Sequence, residues 1–548
     1  MQAFGWSDTP TPHPLGDQNL TRLSARQWAG AVATGLLLFL ASPGLTGFPV
    51  LAWLALVPLL ATISERGVTP GRSARLGLVA GLVYYPLLLY WIVFVLDHYG
   101  NLPLWLAVPL LLLLAAYMSV YLAAFSFLAG QLKGRPCLLW LAPVAWVGLD
   151  WLRGWLFTGF PWQDLGYSQY QFPLLIQVAD LCGHHGVTFL IVMVNCLLFL
   201  AIRHFPEKLF RPTRPTSALI SAVLLLLSAA GYSFLRYDRI EKEIAAGKYL
   251  KVAVVQGNID QGDKWLPHLQ ESTLGKYLDL SNRELASHGP DLLVWPETAM
   301  PFYLRDSREL IGLETLTART RTNILTGAPH RESTPAGATL YYNSAFLIDE
   351  KGLVGGRYDK KHLVPFGEYV PLKKLFFFLG PLVQAVADFS PGRSLQPIPC
   401  KNTGLGVLIC FESIFPELAR QQTSAGAGVL LVLTNDAWYG RTSAPWQHLA
   451  MAVFRAVENR RSLARSANTG VSGFVDPLGR MHQLSPLFEE YTAYRELPLL
   501  QTVTPFTSNG GHLAGMICLA LTVLLALALK FDFPAANRRN DGQRQTIR

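Results

Sequence analysis

The strongest constraint on this chain is a series of long apolar runs separated by short loops. Lipid offers no partner for backbone N–H and C=O groups, so a run of about 20 apolar residues crosses a bilayer as a helix. Such runs lie near Gln27–Ala41, Pro49–Ile63, Leu76–Leu96, Leu104–Leu132, Cys137–Trp151, Val187–Ile202, Ser217–Leu235 and Gly511–Phe531. Eight spans are therefore expected in a multi-span α-helical membrane bundle, the first two being the shortest. Composition agrees: 51% hydrophobic residues, 15% charged residues and a mean hydropathy of +0.28 lie outside the range of soluble globular chains.

A net charge of +9 raises the question of nucleic acid, and the position of the charges answers it. Arg22 and Arg26, then Arg66, Arg72 and Arg75, then Lys133 and Arg135, then Arg203, Lys208, Arg211 and Arg214 occupy alternate connections. Lys530, Arg538, Arg539, Arg544 and Arg548 follow the last run, whereas the Asp97–Asn101 loop has neither Lys nor Arg. This is the pattern of cytoplasmic retention of positive loops, not of a nucleic-acid surface. Both termini are expected in the cytoplasm. After seven crossings, the polar stretch Lys248–Leu500 falls on the opposite face. The expected division is residues 1–240 as the first membrane part, 248–500 as an extracytoplasmic domain, and 508–548 as a last span with a basic tail.

Between the fifth and sixth runs, Arg153 to Tyr167 is rich in Trp, Tyr, Gly and Pro. It fits either an anchor at the headgroup level or a contact surface between bilayer and polar domain. Asp150 and Arg153, three apart on a helix, are placed to pair locally.

In the polar stretch the apolar period changes. Leu250–Gln256, Leu292–Trp295, Asn323–Thr326 and Ala345–Ile348 read as strands, and His268–Ala286 as a helix. Asp349–Gly352 and Asp476–Gly479 are turn signals between strands. Strands alternating with helices and then pairing in hairpins predict an α/β sandwich with mixed sheets.

Three strand ends carry chemistry. Glu297 follows Leu292–Trp295, Lys360 ends the strand before His362, and Cys410 ends the buried run Leu405–Ile409, with helix signals from Ile414 onward. A thiol with an ordinary pKa near 8.5 needs a base or a cation to become a nucleophile. A carboxylate can move its proton, and an ammonium can face an oxyanion. Read singly, Cys410 is also a small buried hydrophobe, Glu297 a surface acid and Lys360 a solvated lysine. A Cys400–Cys410 hairpin disulfide would block the thiol and is disfavoured. Zinc-type Cys/His spacing is absent.

Trp295-Pro296-Glu297, Tyr358-Asp359-Lys360 and Cys410-Phe411-Glu412 resemble the Glu, Lys and Cys motifs of the carbon–nitrogen hydrolase (nitrilase) superfamily. Val255–Asn258, His362–Pro371, Thr434–Gly440, Gly159–Trp162 and Gly166–Gln169 resemble its membrane-embedded branch, the apolipoprotein N-acyltransferase family. The resemblance covers nearly the whole chain. It implies a nitrilase-like α-β-β-α sandwich on the periplasmic side of a bacterial inner membrane, and a two-step acyl transfer. Cys410 would take an acyl chain from a phospholipid as a thioester. The α-amine of a diacylated apolipoprotein would then receive it. Glu297 would be the base and Lys360 the thiolate and oxyanion partner. Glu368 and Glu412 match acids that orient the lysine or substrate. Trp265, Trp438 and Tyr439 match aromatic positions near the site, and Phe411 stands where some relatives carry Tyr. No metal or diffusible cofactor is implied.

Two alternatives stay open on the residues alone: a membrane-tethered nitrilase-type amidase, and a carrier without chemistry. The intact Glu/Lys/Cys set argues against the carrier, and the apolar runs argue against the amidase. The apolar segment Leu375–Val383 fits either a dip into the membrane interface or ordinary core.

Overall fold

The computed structural model describes residues 23–44, 47–208, 216–304, 310–335, 337–369 and 389–531. The segment Leu375–Val383, and the basic residues Arg22, Arg211, Arg214 and those from Arg538 onward, lie outside the described residues.

The apolar runs form helices because almost every position in them is a helix former with no polar group to satisfy. Four described helices are long and apolar enough to cross a membrane: Leu104–Gln131, His184–Arg203, Ser217–Ala246 and Leu513–Lys530. A fifth span is formed if Pro70–Leu88 and Trp91–Tyr99, bent by 48°, count as one. Ala25–Ala41 is a shorter apolar helix, started by a capping box of Ser24 and Gln27. The expected run Pro49–Ile63 is a 3₁₀ turn, Pro49–Trp53, followed by the helix Val57–Ile63. The expected run Cys137–Trp151 is the 16-residue helix Leu138–Arg153. Outward-facing Leu113, Leu227 and Leu524 are 61–68% exposed, as side chains in contact with acyl chains rather than water would be.

The helix Thr216–Ala246 runs directly into strand β1, Lys248–Gln256. The polar segment then builds two six-stranded sheets. In the first, β1 lies between β12 (Tyr491–Leu499) and β2 (Leu292–Val294), followed by β3 (Asn323–Ser333), β4 (Thr339–Ile348) and β5 (Val354–Asp359). In the second, β6 (Ile398–Cys400), β7 (Thr403–Ile409), β8 (Ala427–Thr434), β9 (Ser462–Ala467), β10 (Gly473–Val475) and β11 (Met481–His482) lie in sequence order. β1, β2 and β3 pair in parallel, as do β7, β8 and β9, while β3–β4–β5 and β9–β10–β11 are antiparallel. The expected turns at Asp349–Gly352 and Asp476–Gly479 join β4 to β5 and β10 to β11.

Side chains alternate across each strand. Val252, Val254, Leu292 and Val294 meet Val407, Ile409, Leu431 and Leu433 in the core between the sheets. Ala253, Val255 and Leu293 face outward onto the helices Gln270–His288 and Leu310–Thr320. The outer face of the second sheet differs. Leu408, Leu430 and Val432 pack with the helices Pro416–Ser424 and Ala444–Asn459, and that cluster continues without a break into Leu88 and Ile191 of the apolar helices and Trp162 of the loop between them. The outer helix layer of the sandwich is thus part of the membrane bundle's core.

Polar groups in this seam are satisfied by specific partners, as burial requires. Gln447 Oε1 accepts from Trp162 Nε1 (2.7 Å) and Trp91 Nε1 (3.2 Å), and its amide donates to Leu88 O (3.2 Å). The expected Asp150–Arg153 pair is present at 3.3 Å, but Arg153 also binds Asp164 and Tyr85. The Arg153–Tyr167 stretch is accordingly split: Trp155 and Phe157 are exposed, whereas Trp162 and Tyr167 are buried against the sandwich.

Candidate active site

Cys410 sits where β7 ends and the turn Cys410–Ile414 begins, with φ of +52°. A non-glycine residue there costs roughly 1–3 kcal/mol and persists only when its surroundings hold it. Here the Cys410 carbonyl accepts from Ser413 Oγ (3.0 Å) and lies 3.0 Å from His448 Nε2. His448 Nδ1 in turn lies 3.0 Å from Arg465 Nη2 and 3.2 Å from Asp436 Oδ1, and Arg465 donates to Asp436 Oδ2 (2.7 Å), so the ring behind the Cys410 carbonyl is itself held.

Glu297 follows β2, past Trp295 and Pro296. Its Oε1 accepts from Asn343 Nδ2 (2.7 Å) and its Oε2 from the Asn435 N–H (3.0 Å). The turn carrying it presses on Gly327 of β3, where a Cβ would stand 2.4 Å from the Thr298 nitrogen, so only glycine lets this loop lie down. Lys360 follows β5. Its Nζ lies 2.9 Å from Glu368 Oε1 and 3.5 Å from Glu297 Oε1. Asn343 also reaches Glu368 Oε1 (3.0 Å), and Glu368 Oε2 accepts from the Val364 N–H (2.9 Å).

The two sheets therefore deliver Glu297 and Lys360 from one side and Cys410 from the other into one buried cluster, each less than 10% exposed. Burial pushes the Cys410 thiol well above its ordinary range and the Glu297 carboxylate pushes it further, while Lys360 pulls it down. Burial alone would lower Lys360, but Glu368 and Glu297 outweigh it and hold the ammonium above its usual value. The surroundings therefore favour the neutral thiol of Cys410 and the charged ammonium of Lys360.

Glu412, fully buried, clamps the two strand ends. It accepts from Tyr358 OH (2.8 Å) and the N–H groups of Lys361 (2.7 Å), His362 (3.1 Å) and Ile409 (2.7 Å). Phe411 packs beside His362 and Phe415. Trp438 meets Tyr99 edge-on at 4.9 Å, and Tyr439 meets Trp91 at 5.0 Å, so both reach the apolar helices. Trp265 lies on the 257–266 loop and is 49% exposed. Cys400, at the end of β6, is a free buried thiol, as is Cys410.

Sequence reasoning missed Asn343, Lys264, His448 and Arg465. Asn343 and Arg465 sit on strands and His448 on the helix Ala444–Asn459, where no spacing marks them. Among the described residues, Asp164, His184 and His185 come close enough together to share an ion. Asp164 is already engaged by Arg153 and by His184 Nε2 (2.6 Å).

An α-β-β-α sandwich with a carboxylate, a lysine and a cysteine at three strand ends defines a protein of the carbon–nitrogen hydrolase class, and residues 251–504 match the carbon-nitrogen hydrolase family model. Residues 34–197 match the model of the apolipoprotein N-acyltransferase N-terminal domain. An apolipoprotein N-acyltransferase of Geobacter metallireducens is 42% identical over 508 residues, 92% of this chain and 96% of that protein. One from Azotobacter vinelandii is 35% identical over 521 residues, 90% and 94% of the two chains. A solved carbon-nitrogen hydrolase from Helicobacter pylori G27 aligns at 18% identity with a TM-score of 0.35, covering 54% of this chain and 97% of that one. The chain belongs to the apolipoprotein N-acyltransferase family, and with four or five apolar helices of spanning length it is a bacterial membrane protein.

Proposed function

We propose that this protein transfers a fatty acyl chain from a phospholipid to the α-amine of the diacylglyceryl-modified N-terminal cysteine of an apolipoprotein, through a thioester on Cys410. The observation that carries the reading is the buried Cys410–Glu297–Lys360 cluster, set on a sandwich whose outer helix Ala444–Asn459 is continuous with the core of the apolar helices. A lipid ester needs a site at the bilayer, and a thioester needs shelter from water.

In the first half-reaction Glu297 takes the Cys410 proton as sulfur attacks the ester carbonyl. The Lys360 ammonium faces the oxyanion, held by Glu368. Collapse expels the lysophospholipid alkoxide, which takes the proton back from Glu297. In the second, the lipoprotein amine attacks the thioester carbonyl, Glu297 receives the amine proton, and the released thiolate recovers it. The same carboxylate serves as acid and base in both steps. Phe411 brings no hydroxyl to either.

The alternating Lys/Arg loops support placing the sandwich on the periplasmic face, with both termini cytoplasmic. They also support the division into residues 1–240, 248–500 and 508–548.

The test is intact-mass analysis of the purified protein. Phospholipid alone should add one acyl mass, sensitive to hydroxylamine, and a diacylated lipopeptide should discharge it onto its α-amine. A lipopeptide acetylated on that amine should leave the adduct in place. Equal discharge by water with no amine present would instead favour the membrane-tethered amidase.

A further inference from the structure

Asp164, His184 and His185 meet where the sandwich joins the apolar helices, with one ligand atom from each falling within 4.8 Å of the others. Two of the three are held from behind. Arg153 engages Asp164 Oδ1, which leaves Oδ2 turned to the two rings, 2.6 Å from His184 Nε2 and 3.9 Å from His185 Nε2. On the other side of its ring, His184 Nδ1 faces Glu458 Oε1 at 3.5 Å, and Glu458 is fixed by Arg455 Nε (2.9 Å). A carboxylate behind a ligating imidazole and a donor behind a ligating carboxylate are the outer partners that metal sites carry. His185 is the member no other interaction explains. It is 8% exposed, its ring lies 4.0 Å from that of His184, and it makes no hydrogen bond among the described residues. A doubly protonated His184 between Asp164 and Glu458 accounts for those two contacts but leaves this buried imidazole without a partner.

We propose that Asp164 Oδ2, His184 Nε2 and His185 Nε2 bind a divalent ion of the zinc class, with water as fourth ligand, as a structural clasp between the loop that carries Asp164 and the start of the helix His184–Arg203. Two imidazoles and one carboxylate suit zinc and its first-row neighbours rather than magnesium or calcium, which take oxygen ligands. Ligands about 2.0–2.2 Å from a tetrahedral ion stand about 3.3 Å apart. Asp164 and His184 therefore part, and His185 closes, by roughly 0.6–0.7 Å each when the ion enters. The ion replaces the hydrogen between Asp164 and His184, and that proton leaves to solvent. The His184 ring keeps its other hydrogen on Nδ1, pointing at Glu458. Tyr167, stacked on His184 at 4.4 Å, accepts from Arg455, so the clasp also fixes the loop against the helix Ala444–Asn459.

The experiment uses the full-length protein, purified in detergent with an affinity tag free of histidine, stripped with dipicolinate and titrated with cobalt(II). Wild type should carry about one equivalent of zinc as isolated and, after exchange, show the visible bands of four-coordinate cobalt, saturating at about one equivalent. Stripping should lower its melting temperature. His185→Ala removes a ligand and breaks no hydrogen bond. It should fold, bind cobalt at least about tenfold more weakly, and melt at a temperature that the chelator does not change. Asp164→Asn serves the same comparison if His185→Ala does not fold in a thermal scan. Wild type without cobalt bands, or bands that persist at full strength and affinity in the variant, overturns the proposal. No part of this test passes through acyl transfer, so its outcome and that of the transferase reading are separate.

Discussion

Arg460, which closes the helix Ala444–Asn459, places its Nη2 2.8 Å from Oδ2 of Asp180, a residue 280 positions earlier in the helical part, and both side chains are fully buried. Asp180 also accepts from Arg236 Nε (2.7 Å) and Tyr232 OH (2.8 Å). One carboxylate therefore ties three parts of the chain together at the foot of the sandwich.

Removing that carboxylate should be costly. Asp180→Ala leaves Arg460 buried with no counter-charge, a loss of about 3–5 kcal/mol. Lys242→Ala, which breaks an exposed pair with Asp238, should cost less than about 1 kcal/mol. Thermal unfolding in detergent measures both, and similar shifts for the two would refute the seam's role in stability.

The three central residues should fail differently. Cys410→Ala should give no acyl adduct of any lifetime. Cys410→Ser should retain almost no activity, because a hydroxyl is far harder to deprotonate than a thiol. Glu297→Gln should slow both half-reactions. Lys360→Ala should lose about 10²–10³ in rate, and Lys360→Arg should not rescue it, since a planar fork cannot replace a compact ammonium between Glu368 and Glu297. Adduct mass with phospholipid, then a lipopeptide chase, separates the cases. A hydroxylamine-sensitive adduct on Cys410→Ala would place the nucleophile elsewhere.

His362 should contribute to acid sensitivity. Burial and then the Lys360 charge lower it to about 4, below its ordinary 6.5. The unfolded chain then binds a proton that the folded one refuses. Stability from this residue is present above pH 6.5 and is lost as pH falls toward 4. Because the ring packs on Phe415 at 3.9 Å, His362→Phe preserves the contact. The melting temperature of that variant should depend less on pH between 6.5 and 4 than wild type does; parallel curves would rule the contribution out.

Orientation can be read with single cysteines in a background free of reactive thiols. Lys351→Cys, in the β4–β5 hairpin, should react with a membrane-impermeant maleimide on intact spheroplasts. Gly71→Cys, at an open helix start beside Arg72, should react only after lysis. The reverse pattern would overturn the periplasmic assignment and the substrate reading with it.

Local pattern was enough to place the pieces. Most of the apolar runs are helices because lipid and core both demand satisfied backbone, though Pro49–Ile63 breaks into a 3₁₀ turn and a short helix and Leu76–Leu96 is bent. Leu405–Ile409 is a buried strand, and Glu297, Lys360 and Cys410 each stand just past a strand, where period and turn signals locate them. What periodicity could not contain is any relation between distant pieces. Only the stacking of two sheets brings residues 297, 360 and 410 into one cluster. Only that packing reveals that Asn343 steers two carboxylates, that Lys264 reaches the Glu297 carbonyl from a loop, and that Arg465 and His448 hold a strained Cys410. The fusion of the Ala444–Asn459 helix with the apolar bundle is of the same kind. Gln447, Arg455 and Glu458 are buried there against Trp162, Tyr167 and His184, partners nearly 300 residues away that no local pattern points to. Hydrophobic period is a property of neighbours along the chain; charge complementarity between buried side chains exists only once the tertiary structure has excluded water from between them.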